Sequence, residues 1–273
     1  MAFPTRAAAL LTACVLLIGL CVGCANQEEP TTPEPTPELM TEPTRTPEPT
    51  PEQVASVTIA GQTIEADVTV LDLRGQGISD IAPLQPLTRL TSLLLHNNEI
   101  GNLAPITALT GLTKLWLHGN QISDLAPLTP LADLTELRLW SNQINDLTPL
   151  SPLTNLSLLW LGANQIEDLS PLKGLTGLTL LSLGSNRISD LSPLKDLTNL
   201  TVLSLDGNQI SDLSPLTSLT NLESLGLSNN QISDVTPLAS LTALKRLFLS
   251  GNTLTQEQID DLKTALPNCD IRS

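Results

Sequence analysis

The chain has 273 residues, a formal net charge of −15 and only 2% aromatic residues. Its length allows one or two domains with ample apolar content for a core, and its acidity excludes a nucleic-acid binder, which needs a concentrated basic surface. Cys14, Cys21 and Cys24 cluster in the first apolar run and Cys269 stands alone, so there is neither a disulfide framework nor a paired-Cys zinc spacing.

At the N-terminus, "MAFPTRAAALLTACVLLIGLCVGC" has one basic residue, Arg6, before an apolar stretch that runs to Gly23. The stretch is short for a spanning helix, which needs about 20 residues, and suits the apolar region of a signal sequence. An ordinary secretory signal or an uncleaved anchor is the plain alternative. The end of the stretch, "LCVGC", resembles the bacterial lipoprotein box, in which cleavage before the last Cys leaves that residue lipid-modified. Gly23 and Cys24 match the pattern, whereas Cys21 stands where Leu is usual and Ala25 follows rather than Asp. The resemblance implies a signal peptide over 1–23, a lipid on Cys24, and a secreted protein anchored to the cell envelope. In a two-membrane bacterium it favours the outer membrane or the cell surface.

From Ala25 the composition changes to "ANQEEPTTPEPTPELMTEPTRTPEPTPEQ". Proline fixes φ and removes donors, and seven Glu against the single Arg45 repel one another, so residues 24–53 cannot build a core. Such a segment favours extended polyproline II, with a reach on the order of 80 Å. It is a stalk or a passive spacer.

Next, "SVTIAGQTIEADVTV" alternates apolar and polar residues and predicts a short β cap over 54–70. Beyond it the motif L-x-L-x-x-N-x-I begins at Leu93, Leu115, Leu137, Leu159, Leu181, Leu203, Leu225 and Leu247, with a degenerate copy at Leu71. The period is 22 residues without insertion or deletion. Asn98, Asn120, Asn142, Asn164, Asn186, Asn208, Asn230 and Asn252 form one column, and prolines from Pro83 to Pro237 form another.

These residues resemble the bacterial leucine-rich repeat proteins of the internalin-like, 22-residue class, over residues 71–254. The resemblance implies an α/β-type right-handed repeat solenoid, with a concave parallel β-sheet and convex turns or short 3-10 segments. Physics leads the same way. One coil exposes its upper and lower faces, and ordering each backbone costs about 1–2 kcal/mol while each fully buried Leu returns about 1.5–3. Coils must therefore stack. The L-x-L segment has period two and should be a strand, with the Asn amides satisfying backbone groups of adjacent coils.

The "SDLSPL" segments place an Asp ahead of a proline-bearing turn: Asp80, Asp124, Asp146, Asp168, Asp190, Asp212 and Asp234, broken by Asn102. A calcium ladder is one reading. Local capping is the simpler one, because each coil offers a single such carboxylate. At the other end, residues 255–273 predict a helical cap. Thr255 and Gln258 form a capping box, Leu254 and Ile259 a staple, and Pro267 a stop. "CDI" adds a last strand, with Cys269 buried in the cap. Internalins carry a helical N-terminal cap, so the β cap departs from that family and host adhesion is not carried over.

In a strand read x-L-x-L-x the x positions point away from the core. One such column reads Asp72, Leu94, Trp116, Arg138, Trp160, Ser182, Ser204, Gly226, Phe248. The next reads Arg74, His96, His118, Trp140, Gly162, Gly184, Asp206, Ser228, Ser250. All three Trp and both His fall on this face, with strands about 4.8 Å apart, so they form one patch beside a shallow Ser/Gly trough. Leu158, Leu180 and Val202 add an apolar margin.

Strand propensity alone places some aromatics here, but Trp and Arg are also the residues that dominate binding interfaces. The expected ligand site is His96, Trp116, His118, Arg138, Trp140, Trp160, Leu158 and Leu180. Catalysis fits poorly, since neither face Asp is placed to orient a His. Two His without a third ligand make a poor metal site, and no cofactor is implied. The expectation is a monomeric, non-catalytic module that binds a protein or peptide. Glycan or cell-wall-polymer binding on the same patch and an envelope scaffold without a dedicated ligand are the alternatives.

Overall fold

The computed structural model describes residues 55–273. The expected signal sequence, Cys24 and the stalk lie outside the described residues.

The described part opens with an antiparallel hairpin of β1 (Ser56–Ile59) and β2 (Gln62–Glu65). Its two-residue loop, Ala60 and Gly61, has positive φ at both positions, which matches the twist of tight hairpins. Ile59 is buried, and Val57 and Ile64 pack against the core, so the hairpin closes the first coil. This is the short β cap that the alternating pattern predicts.

Ten parallel strands follow in one sheet, in strict chain order. They are β3 (Val70–Asp72), β4 (Ser92–Leu94), β5 (Lys114–Trp116), β6 (Glu136–Arg138) and β7 (Leu158–Trp160). Then come β8 (Leu180–Ser182), β9 (Val202–Ser204), β10 (Ser224–Gly226), β11 (Arg246–Phe248) and β12 (Asp270–Arg272). The register is uniform: Leu93 pairs with Leu115, Leu115 with Leu137, and so on to Leu247 with Ile271. Each return path from β3 to β11 carries a short 3-10 helix, from Ala82–Leu84 to Thr236–Ser240, with Pro at its second position where no donor is needed.

The core is a set of aliphatic columns. In one coil Leu115, Leu117, Ile122, Leu128, Leu131 and Leu134 are all fully buried, and the same positions repeat in the next. Two polar ladders bind coil to coil. Asn120 accepts from the Ile100 N–H at 3.0 Å and donates its amide to the carbonyls of Leu95 and Leu117. Asn142, Asn164, Asn186, Asn208, Asn230 and Asn252 repeat this in their own coils. A second ladder is made of hydroxyls: Thr113 donates to the Thr91 carbonyl, Thr135 to Thr113 and Ser157 to Thr135, each at 3.1 Å.

The convex Asp column caps. Asp124 accepts from the Ala126 N–H at 2.8 Å, one position earlier than a formal N-cap residue would act. Asn102, which breaks the column, accepts from the Ala104 N–H at 2.9 Å. A neutral amide fills the place as well as a carboxylate, so the role is hydrogen bonding rather than charge.

At the far end α1 (Gln256–Ala265) carries the Thr255–Gln258 capping box. Ile259, Leu262 and Leu266 are buried against the last coil, and Leu254 packs beside them. Cys269 is half-buried rather than enclosed, and burial pushes its thiol pKa up.

Candidate ligand-binding face

The x positions of β4 to β7 do not stand apart as separate side chains. Strands lie about 4.8 Å apart, close to ring-stacking distance, so planar groups at equivalent positions pile along the solenoid axis. Two piles result.

In the first, Arg138 lies between two indoles. Its Cζ is 3.9 Å from the Trp116 ring centroid and 4.4 Å from that of Trp160. A guanidinium over an aromatic face gains about 0.5–1 kcal/mol where exposed and more where desolvated. In the second, His96 stacks on His118 at 4.3 Å with the rings 18° from parallel, and His118 stacks on Trp140 at 4.6 Å and 14°. Trp116 tilts against His96 at 5.6 Å and joins the two piles.

Glu136 fixes the first pile. Its Oε1 accepts from the Trp116 indole N–H at 2.8 Å and from Arg138 Nε at 2.9 Å, and Lys114 approaches its Oε2 at 3.3 Å. Only 8% of Glu136 is exposed. Burial opposes its ionisation, but the hydrogen bonds from Lys114, Trp116 and Arg138 outweigh that and hold its pKa below the usual carboxylate range. Without this carboxylate two cations would crowd an indole whose N–H had no partner.

No sequence motif singles out Glu136. It lies in the column that opens each strand, where Lys114 and Glu136 are lateral neighbours in the parallel register. Opposite charges at equivalent positions of consecutive repeats were the available signal.

The expected site residues come together as follows. His96, Trp116, His118, Arg138, Trp140 and Trp160 form the two piles, and half-buried Leu158 and Leu180 border them on β7 and β8. Exposure is uneven. Trp140 is 42% exposed, whereas His96 and His118 are only 7% and 8% exposed, covered by their neighbours although they lie on the outward face. Both Nδ1 atoms are buried without a hydrogen-bond partner among the described residues. Burial lowers the His118 pKa to about 4, helped by His96 and Arg138. His96 is lowered by burial and by Arg74 and Arg138, with Asp72 pulling the other way.

Neither imidazole has on its Nδ1 the carboxylate partner that orients the base of a catalytic triad. Among the described residues no group of three or more His, Cys, Asp or Glu could hold a metal ion.

Beyond Trp140 and Trp160 the face falls to Gly162, Ser182, Gly184 and Ser204, with Asp206 on its floor. The Asp206 carboxylate accepts from the Ser204 hydroxyl at 2.9 Å and from the Ser228 N–H at 2.9 Å. It lies over Gly226, where an added Cβ would clash with it. This half of the face is a trough, the other half a ridge.

Fold and face together define a repeat scaffold with a contoured concave sheet. The leucine-rich-repeat family, described as "Leucine Rich repeats (2 copies)", matches at residues 88–130, 132–174, 176–218 and 220–264. The chain belongs to this family. Among solved structures it is similar to internalin C2 from Listeria monocytogenes, with 42% identity and a TM-score of 0.66 over 72% of this chain and 87% of that one. It is also similar to an internalin, inlF, from the same organism, at 30% identity and TM-score 0.56, covering 78% of this chain and 83% of that one. A further similar structure is the leucine-rich-repeat ectodomain of the receptor kinase GASSHO1/SCHENGEN3 from Arabidopsis thaliana, in complex with CASPARIAN STRIP INTEGRITY FACTOR 2. There the identity is 25% and the TM-score 0.63, over 72% of this chain and 26% of that one. No curated protein matches the chain. The internalin neighbours mark it as a bacterial leucine-rich-repeat protein of the internalin-like kind.

Proposed function

We propose that this protein is a non-catalytic recognition module of the bacterial cell envelope, binding a protein or peptide across its concave sheet. In this reading the contact residues are His96, Trp116, His118, Arg138, Trp140, Trp160, Leu158 and Leu180. Secretion and anchoring rest on the N-terminal sequence: a signal over 1–23, a lipid on Cys24, and residues 24–53 as the spacer before the repeats.

The observation that carries the reading is the assembly of all the Trp of a Tyr-free chain into one ordered ridge, with the Trp140 ring left exposed. A side chain of that size costs free energy to leave in water, and rigid indoles held by stacking are suited to be binding anchors. The plant ectodomain of the same fold in complex with a partner supports the use of such a surface for recognition.

The test is capture from cell envelopes by the purified protein and by a variant with Trp116, Trp140 and Trp160 all replaced by Ser. A ligand bound by the first and lost by the second supports the reading, and it should also shift tryptophan emission, which reports this face alone. Truncating a central aromatic anchor costs about 2 kcal/mol or more, roughly thirtyfold in affinity. Capture that survives all three replacements overturns it. Binding on a glycan array instead would reassign the ridge to sugar stacking. For the anchor, Cys24→Ser should release the protein from membranes; unchanged partitioning and gel mobility would sink the lipid assignment.

A further inference from the structure

From the trough beside the ridge we infer that the partner presents a basic segment, with a lysine or arginine reaching Asp206 and its neighbouring chain lying against the open face of Trp140. This rests on the proposed use of the concave face and adds the partner's chemistry.

Asp206 differs from the other carboxylates of the sheet. Asp72 pairs with Arg74 at 3.2 Å, Glu136 with Arg138 at 2.8 Å, and Asp270 with Arg272 at 2.9 Å. Among the described residues no ion pair includes Asp206. Yet it is held in place. The Ser204 hydroxyl takes one oxygen, the Ser228 N–H takes the other, and the missing side chain of Gly226 leaves the space it fills. A half-buried carboxylate fixed by two donors and lacking a cation is an acceptor already oriented for one.

The ridge shows how a cation is received on this same sheet. Arg138 fills one column between Trp116 and Trp160. In the adjacent column the pile His96, His118, Trp140 ends, because the next two positions are Gly162 and Gly184. The outer face of Trp140 therefore meets no side chain of its own column. Three strand spacings, about 14 Å, separate the Trp140 and Asp206 positions. An extended chain of about four residues covers that distance. A net charge of −15 steers basic ligands toward the molecule, and Asp206 gives that attraction a fixed point.

The experiment titrates the full-length protein with a capped octapeptide of alternating Gly and Arg, and with its Gly/Glu counterpart, following Trp emission and heat. The Arg peptide should bind saturably and shift the emission, and the Glu peptide should not bind. Asp206→Asn should weaken the Arg peptide about tenfold, the loss of one charged hydrogen bond. The Asn keeps an acceptor for the Ser228 N–H, and a melting temperature lowered by no more than about 4 °C confirms its fold. Asp196→Asn removes the same unit of charge from an exposed site outside the sheet and should leave affinity within about twofold. Equal weakening by the two variants, binding of the Glu peptide, or no saturable binding of the Arg peptide overturns the inference. A Trp-dependent envelope partner that binds Asp206→Asn undiminished overturns it too, while leaving the recognition face standing. Capture indifferent to both the Trp and the Asp206 variants removes both.

Discussion

The ridge on β4 to β7 and the trough on β8 to β10 are carried by one core. Beneath the ridge Leu115, Leu137 and Leu159 are fully buried, and beneath the trough Leu181, Leu203 and Leu225 are buried to the same degree. The Asn ladder crosses from one half to the other with the same bonds to the preceding coils, at Asn142 as at Asn208. Above this shared base, one half carries interlocked rings and two cations around the buried Glu136 carboxylate, and the other carries Ser and Gly around a fixed carboxylate. The scaffold columns hold the coil closed and repeat because every coil has the same task. The outward columns are free of that task and vary from coil to coil.

The sharpest way to break the comparison is to cut into the base on both sides. Leu137→Ala under the ridge and Leu203→Ala under the trough should each cost about 2–5 kcal/mol, the usual penalty for emptying a buried Leu site. The two should agree within about 1 kcal/mol in urea denaturation, because both sites are closed by equivalent neighbours. A much larger loss at Leu137 would mean that the ridge also holds up the core beneath it.

A smaller effect separates the two surfaces. Glu136→Gln removes the charge that Lys114 and Arg138 share and weakens the acceptor of the Trp116 indole. We expect a loss of about 2 kcal/mol, since charged hydrogen bonds of this kind contribute about 1.5–3 and Arg138 and Lys114 keep partial access to water. Asp206→Asn in the trough should cost less than about 1 kcal/mol, as it leaves no cation unpaired. If the two variants melt alike, the ridge is not organised by its ion cluster.

How much of this was legible follows from which columns repeat. The coil, the sheet, the Asn ladder and both caps follow from the 22-residue period and the end motifs, because each such position does one job many times. The ridge residues show in the sequence as the outward positions where the rare rings fall. Their burial does not, because a strand pattern gives the direction of His96 and His118 but not what covers them. Glu136 is hidden in the sequence because its column shows no motif, only one opposite charge beside Lys114. The fixing of Asp206 depends on a backbone N–H and on the space over Gly226, and neither is written in side-chain order.

Acid distinguishes the halves most finely. The trough has no histidine, whereas the ridge buries two. In the unfolded chain a histidine titrates near 6.5, but in the fold His118 is lowered to about 4 by burial, His96 and Arg138. His96 moves the same way, under burial, Arg74 and Arg138, against Asp72. A folded pKa below the unfolded one means that the unfolded chain binds protons first. Stability is therefore full above about pH 6.5, falls as pH drops toward 4, and levels off below it. The carboxylates with lowered values, such as Glu136, start from 4.5 and lose their contribution only below that. Between pH 6.5 and 4.5 the slope belongs to the histidines. Replacing both His96 and His118 with Gln should flatten the melting temperature over that interval, whatever it does to the absolute value. Asp206→Asn should leave the slope as it was. If the double Gln variant keeps the full slope, the imidazoles are not held neutral in the pile, and the close packing of the ridge is not what sets it apart from the trough.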